Sequence, residues 1–284
     1  MRLAAALFLA LFLAAPLAAQ RTPWPAGTTE IAYGSAPRQR LDFIPAATSH
    51  RAPLFIFIHG GAWAFGDKRM AGHMAVHARA QGYAFASLNY RLVPDADPAQ
   101  QAEDVAAAIA YLVREADQLE IDPGRIIVSG HSAGAHLAAL VGTDPRYLGA
   151  HRLPVSILDG IVLLDGAGYD VPAQMQRGGP LLRRLYGRAF GIDPEFQARV
   201  SPTLQAAAPN AGHFLILHIA SRPDDSGAQS QRLADALRAA GTPAEVVAVD
   251  NSHAEIFRQF GTAGHVATER TDAFAREIFG SIGR

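Results

Sequence analysis

One junction constrains this chain more than any other stretch: Gly130-His131-Ser132-Ala133-Gly134 stands between a β-branched run and an alanine-rich run. Arg125 to Ser129 reads as a short strand and Ala133 to Val141 as a helix, so Ser132 falls on a strand-to-helix turn. Such a turn forces unusual backbone angles on the serine. Bulky neighbours would collide with the adjoining strand and helix, so glycines at 130 and 134 fit the geometry of a nucleophile elbow. The amide of Ala133, at the start of the helix, points to the space in front of the serine hydroxyl and gains from the positive end of the helix dipole. It is a candidate donor to a developing oxyanion. The alternative is a chance glycine-serine-glycine pattern in a chain rich in small residues.

A second constellation follows Leu54-Phe55-Ile56-Phe57-Ile58, a continuous apolar run of the kind found in a strand buried on both faces of a parallel sheet. The chain then turns at His59-Gly60-Gly61-Ala62-Trp63. Backbone amides at Gly60 and Gly61 can approach a substrate closely, which makes them the second candidate donor set; the bland reading is that they permit a tight loop and nothing more. His59 is read as ordering this loop. Trp63 could line a substrate pocket or pack beneath the loop.

These two motifs, extended by Ala135-His136-Leu137, resemble the esterase and arylformamidase-like branch of the α/β-hydrolases, and the resemblance runs from about Asp42 to Phe279. It implies an α/β-hydrolase fold, a mostly parallel central sheet flanked by helices, and an oxyanion hole of Gly60, Gly61 and Ala133. It also implies a Ser, then Asp or Glu, then His order along the chain. Phe214 to Ala220 reads as a late strand followed by Arg222-Pro223-Asp224-Asp225-Ser226, and an acid belongs at such a strand end. Asp225-Ser226 with Gln229 is similar to the acid loop of formamidase-like members, so Asp225 is the expected acid and Asp224 its close alternative. An Asp pair ahead of the helix from Gln229 to Ala240 can equally serve only to cap it. After a strand from Ala244 to Val249 comes His253, in the position of the base. The other histidines read as surface or satisfied core residues.

The expected chemistry is that of a serine carboxylesterase cleaving small to medium esters through an acyl-enzyme. Arylformamide hydrolysis is the alternative within the same mechanism, and a non-catalytic binding protein on the same scaffold is the alternative from another class. His73 and His77 have a helical i, i+4 spacing but lack the intervening Glu and a third ligand, so no metal is expected. Neither a phosphate-binding loop nor a dinucleotide fingerprint is present, and no cofactor is expected.

The 284 residues are 49% apolar and 18% charged, in keeping with one large domain. A net charge of -1 without a basic run gives no reason to expect nucleic acid or an anionic membrane as partner. The oligomeric state is not legible. Residues 1–19 combine Met1-Arg2, an apolar stretch from Leu3 to Ala15 and small residues before Gln20. They read as a secretory signal peptide, which implies a periplasmic or secreted domain over 20–284 and no stable membrane anchor. There is no cysteine, so disulfides are excluded. Between about 170 and 212 the strand-helix alternation loses regularity, and this insertion could cover the site as a cap or form a solvated excursion.

Overall fold

The computed structural model describes residues 24–48, 51–222 and 225–280. The proposed signal peptide lies outside them. Eight strands form one sheet: β1 (Thr29–Ala32), β2 (Arg40–Ile44), β3 (Ala52–Ile58), β4 (Ala84–Leu88), β5 (Ile121–His131), β6 (Gly160–Leu164), β7 (His213–Ile219) and β8 (Ala244–Val249). Their spatial order is β1-β2-β4-β3-β5-β6-β7-β8. Pairings from β4 through β8 are parallel, and only β1 with β2 and β2 with β4 run antiparallel.

The helices are α1 (Met74–Ala80), α2 (Pro98–Arg114), α3 (Ala133–Thr143), α4 (Pro145–Gly149), α5 (Val171–Arg177), α6 (Pro180–Phe190), α7 (Pro194–Arg199), α8 (Pro202–Gln205), α9 (Ser226–Ala239), α10 (Glu255–Arg258) and α11 (Val266–Phe279). Alternation along β3 explains its unbroken apolar sequence. Leu54, Ile56 and Ile58 pack into one core with Val105, Ile109 and Leu112 of α2, Leu137 and Leu140 of α3, and Leu233 of α9. Phe55 and Phe57 face a second core with Met74 and Ala78 of α1 and Ala275 and Phe279 of α11. A parallel sheet covered on both faces needs strands that are apolar on both sides.

Helix α3 is buried along its whole length, which its alanines and glycines permit because small side chains let it lie close to the sheet. Helix α2 begins at a capping box, in which the Asp97 side chain accepts from the Gln100 amide and Gln100 reaches back to the Asp97 amide, with Pro98 at the first helical position.

Sequence pattern located β3, β5, β7 and β8 and helices α3 and α9 to within a few residues. The irregular stretch after β6 proves helical, carrying α5 to α8. The antiparallel β1-β2 hairpin and helices α1 and α11 have no counterpart in the sequence reading. β1 is largely exposed, so it carries no strong apolar alternation to detect.

Strand order creates the crevice in which a site can form. From β3 the chain crosses to β4 on one side and then returns past β3 to β5 on the other. In open α/β sheets ligands bind beyond the carboxyl ends of strands at such a reversal. Here those ends carry His59-Gly60-Gly61 and His131-Ser132.

Glycine at the elbow is required sterically. A Cβ on Gly134 would lie 2.1 Å from the Ile58 carbonyl oxygen, and one on Gly130 would lie 2.2 Å from the Gly134 oxygen. Both obstacles are backbone, so neither can swing aside. Gly134→Ala is therefore expected to lower the unfolding free energy by about 1–3 kcal/mol or more, as overpacking does. Gly187→Ala, on α6 where an added Cβ meets nothing within 4 Å, is expected to gain about 0.5–1 kcal/mol. Urea denaturation of both variants checks the contrast.

Candidate active site

Ser132 sits at the junction of β5 and α3 with φ 55° and ψ -118°, unusual backbone angles of the kind expected at the elbow. Its amide donates to the Leu164 carbonyl at the end of β6 at 3.0 Å, which fixes the turn against the neighbouring strand. The loop after β8 brings His253 over it, with the Ser132 hydroxyl 3.1 Å from His253 Nε2. Residues 121 apart in sequence thus meet at hydrogen-bonding distance.

The other imidazole nitrogen does not meet Asp225. His253 Nδ1 lies 2.5 Å from Oδ2 of Asp165, the residue that follows β6. Asp165 is fully buried, and its carboxylate also accepts from the Ile219 amide at 3.1 Å and from Arg222 Nη1 at 2.5 Å. Burial raises the Asp165 pKa, but the hydrogen bond from His253 and the charge of Arg222 outweigh it and hold the carboxyl below its ordinary value. An ionised acceptor at Nδ1 fixes the imidazole tautomer that leaves Nε2 bare toward Ser132.

Asp225 therefore needs correction as the expected acid. It takes a left-handed backbone conformation (φ 68°) at the start of α9, with its side chain 30% exposed and paired with Arg177 of α5 at 3.1 Å and Arg232 of α9 at 2.9 Å. Burial raises its pKa, but the hydrogen bonds and charges of these two guanidinium groups together lower it overall. Its role is to tie α5 to α9. Asp224 lies outside the described residues. The missed signal was Asp165-Gly166 directly after the apolar run Ile161 to Leu164, an acid at a strand end like the one sought after β7. Only sheet order reveals that the β6 end adjoins the serine.

The glycine loop after β3 lies against the elbow: a Cβ on Gly60 would be 3.0 Å from the Ser132 Cβ. Gly61 has φ 126°, and its carbonyl accepts from the amides of Ala64 and Phe65, closing a tight turn. Behind the loop, His59 acts as a linker. Arg38 Nη2 approaches its Nε2 at 3.4 Å, so its Nδ1 carries the proton donated to the Gly60 carbonyl at 2.7 Å. The same guanidinium donates to the Gly66 and Tyr90 carbonyls, and the Tyr90 hydroxyl donates to the His59 carbonyl.

Trp63 is only 1% exposed and does not open onto a pocket. Its indole N–H donates to His136 Nδ1 at 3.2 Å, and its ring meets Tyr186 and Phe190 of α6 at centroid distances of 5.2 and 4.6 Å. His136 in turn donates from Nε2 to the Val200 carbonyl at 2.8 Å. Trp63 and His136 thus fasten the glycine loop and α3 to the helices between β6 and β7. Elsewhere, Arg91 pairs with Asp104 at 2.7 Å, and His77 meets Asp272 at 2.8 Å in an apolar setting.

The solved structure of Thermogutta terrifontis esterase 2 phosphonylated by sarin superposes on 92% of the chain and 99% of its own length with a TM-score of 0.77 at 21% identity. The chain has the α/β-hydrolase fold. Residues 41–150, which hold the glycine loop and the elbow, match the BD-FAE family model. Similar curated proteins carry esterase and kynurenine formamidase names. Esterase LipC of Mycobacterium tuberculosis is 34% identical over 66% of the chain and 49% of its own length. Kynurenine formamidase of Danio rerio is 31% identical over 39% of the chain and 37% of its own length. The chain spans about half or less of the length of these curated relatives.

Three histidines around the site are held neutral by burial. Desolvation takes His59 to about 4, His131 to about 3 and His136 to about 4. In the unfolded chain each titrates near 6.5. Between that value and about 4 the unfolded state binds more protons, so stability is full above about 6.5 and falls as pH drops through this window. Urea midpoints at pH 7, 5.5 and 4.5 should decline in that order. A midpoint independent of pH would contradict neutral burial.

Proposed function

We propose that the chain is a serine hydrolase cleaving carboxylic esters of small to medium substrates, with Ser132 as nucleophile, His253 as base and Asp165 as acid. The observation that carries this reading is one imidazole that reaches Ser132 Oγ through Nε2 at 3.1 Å and Asp165 through Nδ1 at 2.5 Å. Ser132 Oγ attacks the ester carbonyl carbon while His253 Nε2 takes the hydroxyl proton, and Asp165 stabilises the imidazolium that results. The carbonyl electron pair moves onto oxygen, where the amides of Gly60, Gly61 and Ala133 would meet it; loss of one such donor typically costs about 2.7–4 kcal/mol of barrier. When the tetrahedral species collapses, the proton passes from Nε2 to the leaving alkoxide and an acyl-Ser132 ester remains. Water, deprotonated by the same imidazole, then releases the acid. His253 is 40% exposed, which suits a base that must meet substrate and water.

Arylformamide hydrolysis is the second reading, supported by the 31% identity to a kynurenine formamidase over 113 residues. The same base would protonate the departing amine. Export after removal of residues 1–19 also belongs to the proposal, supported by their charged start, apolar stretch and small residues at the junction. An enzyme outside the cytoplasm fits environmental esters better than an intracellular formamide.

Purified chain assayed with short-chain aryl esters and with N-formylkynurenine, beside Ser132→Ala, tests both the chemistry and the preference. Ester turnover should exceed formamide turnover and vanish in Ser132→Ala. A phosphonate reagent should label Ser132. Asp165→Asn should cut kcat by about 10⁴-fold, the scale seen when a triad imidazole loses its tautomer, whereas Asp225→Asn should leave kcat nearly intact. The reverse ranking would restore Asp225 as the acid.

A further inference from the structure

His131 precedes the nucleophile, is almost fully buried, and has no part in the proton transfers above. Its Nε2 lies 2.7 Å from the main-chain carbonyl oxygen of His253. A carbonyl can only accept, so Nε2 carries the proton and Nδ1 is a bare lone pair. The ring is also packed on two sides, with its centroid 4.5 Å from the His253 ring and 4.3 Å from the Phe257 ring on α10. On the side of the glycine loop, a Cβ on Gly60 would stand 3.0 Å from His131 Nδ1 and 2.8 Å from the His131 carbonyl oxygen. One imidazole therefore abuts three separate parts of the site: the elbow that bears it, the base loop after β8, and the glycine loop after β3.

We propose that His131 is the positioning residue of the base, its Nε2–H anchoring the His253 main chain while its ring braces the His253 imidazole over Ser132. The inference rests on the hydrolase reading above. The His253 side chain meets Asp165, Ser132 and Arg222, and Ile256 and Phe257 of α10 seat the following turn in the core; the bond from His131 is what ties the His253 carbonyl itself to the elbow. Near-attack geometry tolerates little freedom at that carbonyl: misplacement by about 1 Å can cost about 10²-fold in rate. The tie to the elbow removes the freedom, because the anchor and the nucleophile are consecutive residues. Neutrality matters as well. When His253 becomes an imidazolium, a second cation in ring contact would oppose it. Burial, followed by the nearby His253, keeps His131 uncharged until about pH 3.

The test uses the full chain, with His131→Leu to remove the donor while keeping bulk and His131→Gln to restore it, since the glutamine amide nitrogen is as many bonds from Cβ as imidazole Nε2. His131→Leu should lower kcat for a short-chain aryl ester by about 10–100-fold with KM within about threefold of wild type, a loss confined to misalignment of reacting groups. Capture of Ser132 by a phosphonate should slow in parallel, and His131→Gln should recover most of both rates. A folded His131→Leu protein with wild-type kcat, or a His131→Gln protein no faster than His131→Leu, overturns the proposal. Should the Leu variant fail to fold, long-range ¹⁵N–¹H spectra of the wild-type imidazoles decide: a neutral Nε2–H tautomer at His131 is expected, and an Nδ1–H tautomer overturns it. Failure of the hydrolase reading would look different, as absence of ester turnover and of phosphonate capture in the wild-type chain.

Discussion

Close approach of α3 to the sheet is the constraint on which the rest of the site depends. Gly134 presses against the Ile58 carbonyl at the end of β3, and Gly130 against Gly134 itself, so the helix starts as near to the crevice as backbone allows. Ser132 stands at that junction with φ 55° and ψ -118°, directly before the first helical residue, Ala133. The reversal of strand order between β3 and β5 then puts the glycine loop beside the serine. Strain at one residue is held in place by two covered sheet faces.

Around the elbow, neutral histidines act as directional connectors. Each buried imidazole has one donor and one acceptor nitrogen, and the partners settle which is which. His59 accepts from Arg38 and donates to the Gly60 carbonyl, while His136 accepts from Trp63 and donates to the Val200 carbonyl. The first fixes the glycine loop from behind, and the second ties that loop to the helices between β6 and β7. His253 differs in being partly open to solvent, with a carboxylate rather than a carbonyl at Nδ1.

Much of this was legible in one dimension. Strand-turn-helix context marked Ser132, the apolar run before Gly60-Gly61 marked the second loop, and the sequel to the last strand marked His253. Each carries a local signature, because elbow sterics and strand burial act over a few residues. The acid carries none. Asp165 and Asp225 both follow apolar strands, and either satisfies the order Ser, Asp, His along the chain. Trp63 was similarly ambiguous, since a large ring can face a pocket or sit beneath a loop; contact with Tyr186 and Phe190 of α6 decided for the latter.

The sequence by itself determined the class of fold, the strained serine and the loops that flank it, because glycine placement and apolar periodicity respond to local geometry. Tertiary structure alone decided which carboxylate faces the imidazole, and which histidines are connectors. β6 lies beside β5 and brings Asp165 within 2.5 Å of His253, while Asp225 is drawn off by Arg177 and Arg232. Partners of this kind are chosen by distance across the sheet, and distance across a sheet has no periodicity along the chain.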